Sequence, residues 1–90
     1  MQVLQQNSFR RAYKKLHPAQ KQAVNVAVAS ISEDPTLGEQ KKGDLAGIFV
    51  YKFTHNTQLY LLAYTFDPIT LTLILLGTHE NFYRELKDKV

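Results

Sequence analysis

The chain contains no cysteine, and only three prolines and four glycines, in 90 residues. Lack of cysteine excludes a disulfide framework, a thiolate metal site and a cysteine nucleophile, and suits a reducing cytosol. There is no glycine-rich phosphate loop, no GxSxG elbow, no paired-histidine metal motif and no cluster of carboxylates. His17, His55 and His79 are far apart, each in or beside an expected turn, so neither a metal site nor a cofactor is expected. No apolar run approaches the roughly 20 residues of a membrane helix. The opening MQVLQQNSFRR lacks the apolar stretch of a secretory signal. The expected location is the cytoplasm, with no membrane partner.

What is present points to a small folded unit. Hydrophobic residues make up 44% of the chain, enough for a core and too many for disorder. With no repeat, low-complexity tract or long linker, residues 1–90 read as one domain. The net charge of +3 and pI near 9.3 favour an acidic partner, nucleic acid or an acidic protein segment. Many ordinary domains carry as much charge.

The elements fall in one order. Gln2–Gln5 is a weak strand candidate at a sheet edge. Ser8 is placed to cap a first helix, along which Phe9, Ala12, Tyr13 and Leu16 form an apolar stripe. Arg10, Arg11, Lys14 and Lys15 occupy its other face. His17-Pro18 interrupts the helix and begins a second one, with Val24, Ala27, Val28 and Ile31 inward and an end near Pro35. Two antiparallel helices result. Thr36 to Asp44, polar and holding Gly38 and Gly43, reads as a loop. AGIFVYKF, QLYLLAYTF and ITLTLILLG then read as an antiparallel three-stranded meander with turns at His55–Thr57 and Asp67-Pro68. Gly77 is expected to end the sheet and Thr78 to cap a last helix with Phe82 and Leu86 inward. The expected class is α+β, with helices covering one face of the sheet.

His79 is the residue most suggestive of chemistry, because the pattern places it in the first turn of a helix directly after a strand. An imidazole there can exchange a proton near neutral pH, and the free amides of such a turn can hold a phosphate. Tyr83 lies one turn on, on the same face, where its hydroxyl or ring can position a nucleotide. The plainer alternative makes His79 a solvated helix-start residue and Tyr83 a cover for the sheet edge. Lys52 interrupts an apolar strand and must reach an exposed face or edge. Together with Lys41 and Lys42 it can neutralise a phosphate, though each of the three also reads as an ordinary solvated lysine. Like charges one turn apart, Arg10 with Lys14 and Arg11 with Lys15, disfavour an isolated helix and suggest an acidic partner, or simply a solvated face.

The order of elements, the LAGIFVYKF and QLYLLAY hairpin and the ending LLGTHENFYRELK resemble the RelE/ParE superfamily of bacterial toxins over nearly the whole chain. The most specific part is Gly77 to Tyr83, and the YafQ-like branch has a similar ending. The resemblance implies a toxin of a type II toxin–antitoxin pair, bound and neutralised by an antitoxin in a hetero-oligomer. RelE-like and YafQ-like members cleave messenger RNA on the ribosome without a metal, the ribose 2′-hydroxyl attacking the neighbouring phosphate. ParE-like members share the fold and inhibit DNA gyrase without such a catalytic set. Carried over by position, His79 and Lys52 belong to the expected catalytic group, which Tyr83 joins through its place one turn beyond His79. Lys41, Lys42 and Arg84 contact the target, and Arg10, Arg11, Lys14 and Lys15 receive the antitoxin. RelE-like nucleases carry an arginine on the strand matching QLYLLAY; this chain has none there, and Tyr83 does not align with the RelE tyrosine.

Overall fold

A computed structural model describes residues 1–79 and 81–89. The meander is present as β3 (Phe49–His55), β4 (Gln58–Phe66) and β5 (Thr70–Thr78). Successive side chains point to opposite faces, and Tyr60 to Tyr64 of β4 and Leu73 to Leu76 of β5 are buried without alternation because both faces of the sheet are covered. Asn56 and Thr57, both with positive φ, close the β3–β4 hairpin as a two-residue turn. At the second turn the Asp67 carboxylate accepts the amides of Ile69 and Thr70, which lowers its pKa.

Two flanking strands complete a five-stranded mixed sheet among the described residues. β1 (Gln2–Gln5) pairs parallel with β5 at one edge, and β2 (Glu39–Gln40) pairs antiparallel with β3 at the other. The expected N-terminal strand is therefore present. The Thr36–Asp44 stretch is not the plain loop its polarity suggests, because backbone pairing recruits Glu39 and Gln40 into the sheet regardless of side-chain polarity.

α1 (Asn7–Lys14) and α2 (Pro18–Glu33) form the expected helical hairpin. Pro18 opens α2, where it lacks only an amide that would be unpaired in any case. Ser8 does not cap α1. Gln6 holds that position, and the Ser8 hydroxyl donates instead to the Ile74 carbonyl at 2.6 Å. Ile74 is the extra residue of a β-bulge, since Ala63 pairs with Leu75 while Tyr64 pairs with Leu73. The bulge resets the alternation of β5. Leu71, Leu73 and Leu76 face α1 and α2, whereas Ile74 and Leu75 face the other way.

That other face is covered by α3 (Phe82–Lys89), which corrects the expectation that all helices share one face. Phe9, Val24, Ala27 and Ile31 bury against Leu62, Tyr64, Leu71 and Leu73 on the first side. Phe82 and Leu86 bury against Val50, Leu61, Ala63 and Leu75 on the second. A helix of eight residues is marginal by itself, so these two side chains, worth about 2 kcal/mol each when fully buried, hold it in place.

Candidate functional site

The junction after β5 is longer than capping rules suggested. Gly77 does not end the sheet: it pairs with Leu61, and Thr78 pairs with Tyr60. Thr78 is thus a strand residue and not a helix cap. Asn81, at φ 65, accepts the first helical bond from Glu85, and α3 starts at Phe82. His79 accordingly lies in the turn between strand and helix, exposed, with its carbonyl accepting the Phe82 amide at 3.3 Å. Glu80 falls outside the described residues.

Strand parity assembles the rest. Val50 of β3 belongs to the α3-side core, so Lys52, two residues on, shares that face. Glu39 is the direct partner of Val50 and projects to the same side. The Lys41 amide donates to the Ile48 carbonyl at 2.9 Å, which prolongs the extended backbone and returns Lys41 to the face of Glu39. Lys41 therefore reaches α3, with Nζ 5.0 Å from the centre of the Tyr83 ring. Tyr83 also meets His79 edge-on at 6.1 Å between ring centres, and Phe82 edge-on at 5.4 Å. The Lys41 ammonium is bonded to the Glu39 carboxylate, the ion pair of the described residues. This bond, and then the lysine charge, lower the Glu39 pKa, and the Lys52 charge acts in the same sense. The Lys41 pKa is raised chiefly by the same bond.

Of the residues expected to act, the structure brings His79, Tyr83 and Lys41 together and sets Lys52 on the same face within electrostatic range of Glu39. Lys42 is exposed just before the short turn Gly43–Leu45, and Arg84 is exposed on α3; neither joins the cluster through a described contact. On the opposite side of the sheet, Arg10, Arg11 and Lys14 line a hollow with Gln5, Asn7 and Tyr13. Lys15 faces a separate groove with Leu16, Leu76, Thr78 and Glu85. Sequence reasoning missed Glu39. Its spacing of two from Lys41 was the readable signal, since such residues share a face once the segment is extended. Among the described residues no group of metal-ligating side chains gathers, and no helix is long and apolar enough to cross a membrane.

A family model described as "ParE-like toxin of type II bacterial toxin-antitoxin system" matches residues 3–87. No curated protein aligns significantly with the chain. Among solved structures, the Mycobacterium tuberculosis RelBE2 toxin–antitoxin complex is similar, with TM-score 0.72 and 24% identity over 87% of this chain and 96% of that one. An Escherichia coli RelE double mutant in the free state superposes with TM-score 0.75 and 14% identity, covering 98% of this chain and 90% of that one. A YoeB/ParE toxin from Agrobacterium tumefaciens gives TM-score 0.69 and 19% identity, covering 88% and 99%. With a family model spanning almost its full length and this fold, the chain belongs to the ParE-like toxins of type II bacterial toxin–antitoxin systems.

Proposed function

We propose that this toxin arrests growth by cleaving messenger RNA on the ribosome, and that the face beneath α3 carries the chemistry. The supporting observation is the contact of His79 and Tyr83 under the Lys41 ammonium, with Lys52 on the same side of the sheet. In this reading the RNA supplies the nucleophile. His79 takes the proton of a ribose 2′-hydroxyl as its oxygen attacks the adjacent phosphorus, or returns a proton to the departing 5′-oxygen. Lys52 and Lys41 offset the negative charge that builds on the non-bridging oxygens, and Lys42 adds positive charge from the neighbouring loop. Tyr83 presents a π-face for a base to stack on. Arg84, exposed on the same helix, contacts the RNA backbone.

His79→Ala should relieve growth arrest while leaving antitoxin binding unchanged. A fully toxic variant would exclude His79 from the mechanism.

A second reading has its own support. β4, the middle strand, presents no basic side chain anywhere from Gln58 to Phe66, as suits a non-enzymatic inhibitor of DNA gyrase. Labelled amino-acid and thymidine uptake after induction separates the two, since the first reading requires translation to stop before replication does.

The partner in either case is a cognate antitoxin, as in the RelBE2 complex that the chain resembles. In this reading its acidic or amphipathic segment binds the basic face of α1, which has no acidic residue in its first turn, beside the exposed strand β1.

A further inference from the structure

The contact between Glu39 and Lys41 puts an anion where the target's phosphate is expected. Both groups are oxyanions, and each accepts from an ammonium in the same way. The two partners are unequally held. The Lys41 side chain is 18% exposed, enclosed between the end of β2 and the Tyr83 ring, whereas Glu39 is 63% exposed. The carboxylate is thus the more solvent-accessible member of the pair, and it already occupies the ammonium that an arriving phosphate would meet. Its anchorage is slight: β2 is two residues long, lies at the sheet edge and pairs only with Val50 and Phe49. Lys52 also acts on Glu39, so the carboxylate draws on both cations of this face.

We propose that Glu39 is an internal occupant of the phosphate seat on Lys41, displaced when a single-stranded nucleic acid phosphate binds. This rests on the reading of Lys41 as a target-contacting residue. The opposing structural role, in which Glu39 serves to hold Lys41 over Tyr83, makes the contrary prediction for the same substitution. Removal of the carboxylate strengthens phosphate binding if Glu39 competes and weakens it if Glu39 positions. Because the carboxylate partner is exposed, the competition is mild, so the toxin at rest binds RNA weakly without the seat being closed.

The test uses the full chain, without ribosome or antitoxin, and a fluorescent single-stranded RNA hexanucleotide followed by anisotropy at low ionic strength. Glu39→Gln should bind about two- to fivefold more tightly than the parent, the range of an exposed ion pair. Lys41→Met, which keeps the stem and loses the ammonium, should bind more weakly. In the Lys41→Met background Glu39→Gln should give no gain, because the competition needs the lysine. An equal gain in both backgrounds would reduce Glu39 to a long-range charge effect and overturn the proposal. So would weaker or unchanged binding by Glu39→Gln alone. If Lys41→Met binds as the parent does, the target-contact reading itself fails; if it binds weakly and Glu39→Gln shows no gain, only the competition fails.

Discussion

Replacing Tyr64 by phenylalanine tests how the site's lysine segment is held. Tyr64 is wholly buried in the middle of β4, and its hydroxyl is the one polar point of that side chain. It donates to the Pro35 carbonyl at 2.6 Å and accepts from the Gly38 amide at 3.0 Å. Those two residues bracket the turn after α2, and Gly38 leads directly into Glu39 and Lys41. Phenylalanine keeps the ring and its stacking on Phe49 but strands a carbonyl and an amide. An unsatisfied buried polar group costs about 1–3 kcal/mol, so about 2 kcal/mol is expected for the variant, or a fall in Tm of roughly 8–16 °C for a domain of this size.

The effect has a pH signature. Burial raises the Tyr64 pKa above that of a free phenol, so the folded state holds the proton more tightly than the unfolded chain does. Stability is then fully present below about pH 10 and is lost as pH rises through the folded-state pKa. Urea unfolding at pH 7 and across the alkaline range measures both effects. Tyr64→Phe should be weaker at pH 7 and should fall less steeply toward alkali than the parent. A variant within about 0.5 kcal/mol of the parent at pH 7, the range of a neutral surface change, would refute the tether.

Gly38→Ala attacks the same contact from the other side. A Cβ there would lie 2.5 Å from the Tyr64 hydroxyl oxygen, so the variant should be destabilised, with the loss partly recovered in the Tyr64→Phe background when both are measured by urea unfolding. Thr57 adopts φ 64, which a β-branched residue disfavours, so Thr57→Gly should raise stability by about 0.5–1 kcal/mol in the same assay. Reversing Arg10, Arg11, Lys14 and Lys15 to Glu should weaken antitoxin binding about tenfold or more at low salt. The difference should narrow toward 1 M salt, where the Debye length falls to about 3 Å; equal affinity of parent and variant in a low-salt titration would move the antitoxin elsewhere.

The elements carried by periodicity were legible: the α1 and α2 stripes, the three-strand meander, and Phe82 with Leu86 in the last helix. What escaped the sequence depends on pairing between distant segments. Glu39-Gln40 is a strand because β3 offers it an edge, and nothing in those two polar side chains says so. Ser8 resembles a helix cap by type, yet the bulge at Ile74 presents a carbonyl that takes its hydroxyl. Thr78 carries the same signature and is held in β5 by Tyr60. Both misreadings arise because a local capping rule competes with a tertiary hydrogen bond that sequence cannot display. The side of the sheet taken by α3 was equally hidden, since an amphipathic helix shows that it packs and not on what. His79, Tyr83 and Lys52 could be picked out as residues; their convergence with Lys41 required the strand parity of β2 and β3.

The two faces of the sheet are built unequally, and the inequality bears on where function can sit. Phe9, Tyr13, Phe49, Tyr51, Phe53, Tyr64 and Phe66 pack on the α1–α2 side, with Tyr60 stacked on Phe53. Among the described residues, the α3 side has only Phe82 and Tyr83 as aromatics in its core. Aromatic side chains bury the most apolar area per residue, so the first face carries the greater share of the aromatic packing. The second face can then leave lysines and a histidine at its rim without having to bury them. His79, Glu39 and Lys52 are all exposed, and substitutions at such positions generally shift stability by no more than about 0.5 kcal/mol. A lost activity at His79 therefore reports on function and not on folding. The exception is Leu86, fully buried at the foot of α3. Its replacement by alanine should cost about 2–5 kcal/mol and loosen a helix that has little else to hold it. Tyr83 and Arg84 would leave the face with it, so toxicity should fall even in cells cold enough to keep the variant folded.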